Sequence, residues 1–443
     1  MQRTSRRSRD AQRGMATLAI ALIFLVSMTA VVFFASRNLI FEQKTSANQT
    51  RATKAFEAAE AGVEWALANL NNQSRILAAT CLVDPAALPA NQSFRDRIAT
   101  IASTLVVTPT GRSVACVRTA TGLDCNCPDA GNPAPAAGDG PSFQVAFSTA
   151  PLLATGTPQP RLMQIVATGC DSRGSQCIAG GSASDATAQV RILAGVVPMM
   201  INTPASPLTA CLGVDLSNAA AGMVITNVNQ EVGGVTVNSG GTYSSNTTGI
   251  NLNSVPGSPD AASIYRGDAS LAAICPATTG QESSMFFAFF GMTKDDFKAM
   301  TESVKTFSCT TAADCETKLS GYIAQGWQYF YITSDLVLSS NTLTLGTLQK
   351  PVAIVVGGPN DNDGDASLTG SIKINGLIYT TDQAWNDTAG DTFVRGAVLA
   401  EGNFAASGSM TLLYDKDLLD LLGNAAGPFA RVPGSWRDST GQL

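Results

Sequence analysis

The turn GGPNDNDGDAS sets three carboxylates, Asp361, Asp363 and Asp365, at alternate positions, an oxygen-rich composition of the kind a hard cation such as Ca²⁺ selects. Its spacing is not that of an EF-hand. Counting back from Gly364 as the sixth loop position puts Pro359 first and Gly370 twelfth. The alternative reading is a solvated acidic turn. Ten cysteines form the second chemically active set: Cys81, Cys116, Cys125, Cys127, Cys170, Cys177, Cys211, Cys275, Cys309 and Cys315. An even number, all beyond the N-terminal hydrophobic stretch, favours disulfides made in an oxidising compartment. Cys170 with Cys177 and Cys309 with Cys315 are the expected local pairs, whereas Cys125 and Cys127 are too close to bridge each other comfortably. The chain has no histidine, which removes Ser-His-Asp and Cys-His catalysis, imidazole metal ligands and imidazole pH switching. With neither histidine nor a C-x-x-C pair, Cys125-Asn126-Cys127 is a poor zinc site. No Walker A, G-x-S-x-G or H-E-x-x-H motif occurs, and sequence spacing alone cannot single out a glycosidase carboxylate pair. The expectation is a non-enzymatic protein with disulfides and without a cofactor or resident metal.

The elements that position such residues begin with an uneven charge distribution. Of a net charge of −6 over 443 residues, the first fourteen residues oppose it, with Arg3, Arg6, Arg7, Arg9 and Arg13 against Asp10. The remainder is acidic and a poor generic partner for nucleic acid. From Met15 to Ser36 there is no charge. About twenty such residues at 1.5 Å each cover a ~30 Å hydrocarbon core, and the basic leader fits the cytoplasmic side. From Asn38 to Asn72 there is no proline and only Gly62. Phe56, Ala59, Val63, Ala66 or Leu67, and Leu70 recur at helical spacing, with Glu57, Glu60 and Glu64 on another side. One unbroken helix is therefore expected, hydrophobic over 15–36 and amphipathic over 37–72.

QRGMATLAIALIFLVSMTAVVFFASRN, followed by KAFEAAEAGVEWA, resembles the N-terminal domain of the PilX group of type IV minor pilins, whose members tend to show a similar AFxAAEAG segment. The resemblance implies cleavage by a prepilin peptidase between Gly14 and Met15, and methylation of the new amine on Met15. It also implies an inner-membrane, single-pass precursor with a periplasmic body that moves to the pilus. The implied partners are other minor pilins, the major pilin, the inner-membrane assembly platform and a PilY-type tip adhesin. Major pilins of this type typically carry glutamate at the fifth mature position, whereas this chain has Ala19. That departure, shared by PilX-like pilins and the GspK-type pseudopilin of type II secretion, points to a tip or priming role. Arg37, Glu42 and Lys44 are expected to help set register between packed helices, each pair contributing little if exposed.

Beyond the helix an α+β organisation is expected, with a β-rich head over 73–205 and a second β-rich region over 206–443. SFQVAFSTA, RLMQIVATGC and TAQVRILAGVVP alternate as half-buried strands, and CNCPDAGNPAPAAGDGPS reads as a loop. From about residue 200 the texture changes to Gly, Asn, Ser and Thr with short aliphatic strands. Gly376-Leu377-Ile378-Tyr379 and Gly396-Ala397-Val398-Leu399 share one form at the spacing of a β-solenoid coil, although a sandwich of short strands fits as well. Between the β stretches, Thr293 and Asp296 form a capping-box-like start for a short helix near 293–306, and Phe286, Phe287, Phe289 and Phe290 read as core. This helix, the Cys309–Cys315 interval and the GLIY and GAVLAEG strands resemble the C-terminal region of long PilX-type proteins. A GspK-type pseudopilin, or a membrane-anchored periplasmic solenoid protein that binds or cleaves polysaccharide, is the alternative function.

Overall fold

The protein is described by a computed structural model covering residues 9–77, 83–84, 92–101, 105–127, 135, 140–153, 155–174, 176–178, 186–219, 222–246, 249–276, 283–382, 385–386 and 391–438, with side chains undescribed for 9–15, 385–386 and 425. Residues 1–8 of the leader, Cys81 and most of the Pro/Gly/Ala-rich loop lie outside the described residues.

Helix α1 runs unbroken over Arg9–Asn71. No proline interrupts it, and Gly62 is tolerated where the helix is packed. The short pieces β1 (Arg75–Ile76), β2 (Gln92–Ser93), α2 (Phe94–Ile98), β3 (Ala99–Ile101) and β4 (Val107–Pro109) follow. The head sheet is then built from β5 (Ser113–Arg118), β6 (Leu123–Cys125), β7 (Ser142–Thr149), β8 (Leu162–Cys170) and β9 (Thr187–Val196), antiparallel in the order β9-β8-β7-β5-β6. Its inward residues Val145, Ile165, Ala167 and Ile192 meet Ala59, Val63, Ala66 and Leu70 of α1 in one core. Gly169 on β8 is where the helix backbone comes closest: a Cβ there would lie 2.1 Å from the Ala55 carbonyl oxygen.

The second region is a parallel β-solenoid with three faces. Its first coil holds β10 (Leu208–Ala210), β11 (Gly213–Leu216) and β12 (Met223–Thr226). The second holds β13 (Val237–Ser239), β14 (Thr242–Ser245) and β15 (Ile250–Asn253), and β16 (Ile264–Arg266) starts a third. The chain then leaves the stack through α3 (Ala269–Ala272), α4 (Met285–Phe290) and α5 (Lys294–Ala299) and resumes at the far end with β17 (Val304–Phe307) and α6 (Ala312–Gln325). From there it winds back through β18 (Tyr329–Ile332), β19 (Leu336–Leu338), β20 (Thr344–Leu345), β21 (Val352–Val356), β22 (Ala366–Leu368), β23 (Lys373–Thr380), β24 (Trp385–Asn386), β25 (Thr392–Ala400), β26 (Asn403–Ala405) and β27 (Met410–Leu413). The last coil docks on the first, all three strands in parallel register, with Leu208 opposite Val398, Val214 opposite Phe404 and Ile225 opposite Leu412. The sandwich alternative is thereby set aside, because every described strand pair in this region is parallel.

One face, in the order β16-β13-β10-β25-β23-β21-β18-β17, is buried on both sides over its central strands. Phe330, Ile354, Ile378 and Val398 point inward. Tyr329, Val355, Leu377 and Leu399 point outward beneath α4, α5 and α7 (Lys416–Ala425). Burial on both sides accounts for the uninterrupted apolar runs VAIVV, GLIY and AVLA. The short helix expected over 293–306 stops at Ala299, and 304–307 is strand. Phe286 and Phe290 are core, whereas Phe287 is exposed. After α7 the chain returns to the head, where β28 (Phe429–Arg431) pairs antiparallel with β9.

Candidate assembly interface

From Ala16 to Lys54 every side chain of α1 is exposed, so about 39 residues, ~58 Å of helix, project beyond the body. The segment is apolar where it is longest unsupported: among the described residues this is the one helix long and apolar enough to cross a membrane. Hydroxyls in the middle of its uncharged stretch are satisfied within the helix. Ser27 donates to the Phe24 carbonyl, Thr29 to Leu25 and Ser36 to Phe33, each at 2.9–3.0 Å, so none needs water or a partner in an apolar medium.

Gly14 and Met15 lie on the helical backbone, upstream of the described side chains, and Ala19 is exposed on the projecting part. Arg37, Glu42 and Lys44 are exposed and make no ion pair with the described residues of their own chain. Phe56 belongs elsewhere. It packs on the head at the start of the buried face, edge-on to Trp436 at 6.1 Å. Glu57 and Glu60 are exposed beside it. The AFEAAEAG segment thus has an intramolecular task, since Ala55, Ala58, Ala59 and Gly62 form the small-residue side that lets α1 lie against Gly169 and Phe143. Arg51 to Asp171 at 4.0 Å and Arg431 to Glu64 at 2.5 Å pin the helix at its margins.

Between described residues, disulfides join Cys116 to Cys125 across β5 and β6, Cys170 to Cys177, Cys211 to Cys275 and Cys309 to Cys315. Cys127 is also disulfide-bonded.

The three aspartates of the acidic turn do not converge, and among the described residues no group of three metal-ligating side chains does. Asp361 accepts from Lys298 Nζ at 2.6 Å and from the Tyr331 hydroxyl at 2.9 Å, so an ammonium group stands where a cation would be needed. Asp363 accepts from the Asn360 backbone N–H and side-chain amide, and Asp335 accepts from the backbone N–H of Asp365. Behind this turn lies a polar cluster that the sequence reading missed. Lys294 Nζ reaches Glu401 Oε2 at 3.0 Å, the Asp361 carbonyl at 3.2 Å and Asn362 Oδ1 at 2.8 Å, and the Tyr379 hydroxyl donates to Glu401 Oε1 at 2.5 Å. Burial raises the Glu401 carboxyl above the ordinary carboxylate range, against the pull of Lys294 and Tyr379. Asp361 is also raised by burial, but Lys298 and Tyr331 outweigh that and leave it below its ordinary value. The signal was Glu401 itself, a charge ending an apolar run, and Lys294 directly after a helix cap. Glu401 is fully covered, so this cluster fastens α5 to the solenoid and offers no surface to a substrate.

Residues 13–64 match the PilX N-terminal family model. No curated protein matches the chain. Among solved structures, the chain is similar to the competence-associated pilin ComZ from Thermus thermophilus at 12% identity, covering 88% of this chain and 98% of that one, with a TM-score of 0.23. The matched segment contains the projecting helix and the AFEAAEAG contact, and over residues 13–64 the chain is similar to the N-terminal domain of the PilX-type pilins.

Proposed function

We propose that the protein is a minor pilin of the type IV pilus, matured between Gly14 and Met15, which primes assembly and stays at or near the filament tip. The observation that carries this reading is the projecting helix: an exposed rod of ~58 Å inside the PilX-matched segment, uncharged over residues 16–36, where only a bilayer or other helices can cover it. Extraction from lipid exchanges one apolar surrounding for another, so close helix packing supplies the specificity. Ala16, Ala19 and Ala21 keep the N-terminal turns slim enough for such packing.

Two features favour the tip. Ala19 lacks the carboxylate that would pair with a neighbour's terminal amine in a repeating lattice, and a buried unpaired amine is costly. The solenoid of residues 206–426 is carried beside the head and must be accommodated at every lattice position if the subunit repeats, whereas at an end it meets no successor. Other minor pilins, the major pilin, the prepilin peptidase, the assembly platform and a PilY-type adhesin are the partners this role requires, with the body periplasmic before extrusion.

The decisive measurement is mass spectrometry of the mature N-terminus combined with Gly14→Ala. A methylated Met15 in the wild type, and a retained leader with lost piliation in the variant, are expected. Normal pili from the variant would sink the mechanism. Immunogold labelling of sheared pili is expected at filament ends, and labelling along the shaft would remove the tip assignment.

A further inference from the structure

The charges on α1 fall on two nearly opposite sides of the helix. At about 100° per residue, Arg37, Lys44 and Arg51, spaced seven apart, lie within about 40° of one another. Glu57, Glu60 and Glu64 lie within about 60° of one another on the other side. The body bears out both directions. Arg51 is 4.0 Å from Asp171, which directly follows β8, so the basic row runs down the side of the rod that carries the head. Ala55, Ala59 and Val63 on that side are buried against the sheet, whereas Glu57, Glu60 and Glu64 are exposed on the side turned away from it. Glu42, the one carboxylate between Ala16 and Lys54, also faces away.

The two rows differ in height as well. Their centres are about 16 residues apart, ~24 Å along the axis, with the basic row on the unsupported rod and the acidic row level with the head. Beneath the head, on the head's own side, the rod therefore presents an open flank that carries three cations. A second helix that runs parallel and holds its head outward meets this flank with the side turned away from its own head. Carboxylates placed on that side as they are here oppose Arg37, Lys44 and Arg51 when the second chain sits about 24 Å closer to the membrane. At equal height the three cations meet a single carboxylate, at the position of Glu42.

We propose that Arg37, Lys44 and Arg51 form the docking row for the pilin that enters beneath this one, a parallel helix with carboxylates on the side turned away from its own head, about 24 Å lower. The inference rests on the pilin reading above and adds to it the face and the stagger of the contact. The apolar segment supplies affinity but distinguishes poorly between heights, since one apolar side chain can replace another. Exposed ion pairs contribute little each, yet a wrong stagger loses all three together, so the row fixes height and orientation rather than strength. Arg51 then lies between Asp171 of its own head and a carboxylate of the incoming chain.

The test uses the full chain in piliated cells, with the photo-crosslinking residue p-benzoylphenylalanine in place of Asn48 on the basic side, or in place of Ser46 on the opposite side as control. Irradiation at Asn48 is expected to join the chain to another pilin, and mass spectrometry to place the attached residue on that pilin's helix about 16 residues beyond the aligned position. Arg37→Gln combined with Lys44→Glu, both on the rod and outside the body, is expected to lower the yield at least tenfold while Met15 is still cleaved and methylated. A retained leader in the wild type would remove the pilin reading itself. With Met15 matured normally, attachment at the aligned position, attachment to lipid, no attachment, an equal yield from Ser46 or an undiminished yield in the variant would each overturn this inference alone.

Discussion

Glu401 and Lys294 show how far one residue's environment can be read as a prediction. A carboxylate with no exposed surface is tolerated because an ammonium lies 3.0 Å away and a phenol 2.5 Å away. Removing one partner of a buried pair leaves the other charge uncompensated, which typically costs about 3–5 kcal/mol. Lys294→Met is therefore expected to destabilise the body by roughly 3 kcal/mol at neutral pH, read by urea unfolding. The sign with pH follows from the direction of the shift. A carboxyl whose folded value is raised contributes stability that is present below its ordinary value and lost as pH rises through the raised one. Without Lys294 the raised value rises further, so the variant's deficit should shrink as pH falls toward 5. A deficit independent of pH would show that Glu401 stays neutral in the wild type. Asp361 runs the other way: its lowered value stabilises above the ordinary carboxylate range, and that share is lost in acid.

At the scale of elements, the contact between α1 and β8 is set by residues too small to be conspicuous. An alanine at Gly169 would drive its Cβ to 2.1 Å from the Ala55 carbonyl oxygen and 2.4 Å from the Ala59 nitrogen, both backbone atoms that cannot turn aside. Gly169→Ala is expected to lift α1 from the sheet and cost the head about 2–3 kcal/mol, seen as a lowered melting temperature with normal N-terminal processing. An unchanged melt would mean the helix slides without loss. Much of this element was readable beforehand: an uncharged span, then apolar positions at helical spacing, leave little choice but one long helix. The head strands were readable too, because one covered face writes a period of two. The solenoid was half-readable. Gly376 and Gly396 face each other in register at a coil corner with φ of 150° and 136°, where a Cβ would strike the carbonyl of the coil beneath, so their repetition has a steric cause. The remaining coils turn their corners with other residues, and strands of two to four residues are too short for periodicity to show. Neither the jump from β16 to the far end nor the return of β28 to the head leaves a local trace, because both are decided by which edges remain to be paired.

The whole molecule is held together where that return occurs. Asn71, the last residue of α1, brackets Phe429 through its side-chain amide, accepting from the Phe429 N–H at 2.7 Å and donating to its carbonyl at 2.9 Å. Arg95 on α2 donates to the Gly427 carbonyl at 2.7 Å and lies 4.7 Å from the centre of the Phe429 ring, while neighbouring Asp96 takes Lys350 from the solenoid. Burial lowers the Arg95 guanidinium to about 10, still charged at neutral pH. Head and solenoid are thus coupled through a few polar contacts around a cleft of about 400 Å³ rather than through a shared apolar core, since each has its own core cluster. A charged hydrogen bond and a cation–π contact together are worth about 3 kcal/mol. Arg95→Met retains much of the stem's bulk and removes both, so calorimetry is expected to change from one unfolding transition to two, with the head melting first and the solenoid keeping its wild-type midpoint. Acid should act in the same direction on the wild type. Burial raises the Asp96 carboxyl, but Lys350 outweighs it and leaves the group lowered, so its contribution is present above the ordinary carboxylate value and lost as pH falls through the lowered one. A single transition in Arg95→Met at both neutral and acidic pH would show that β28, continuing from α7 onto β9, couples the two parts without help from the charges.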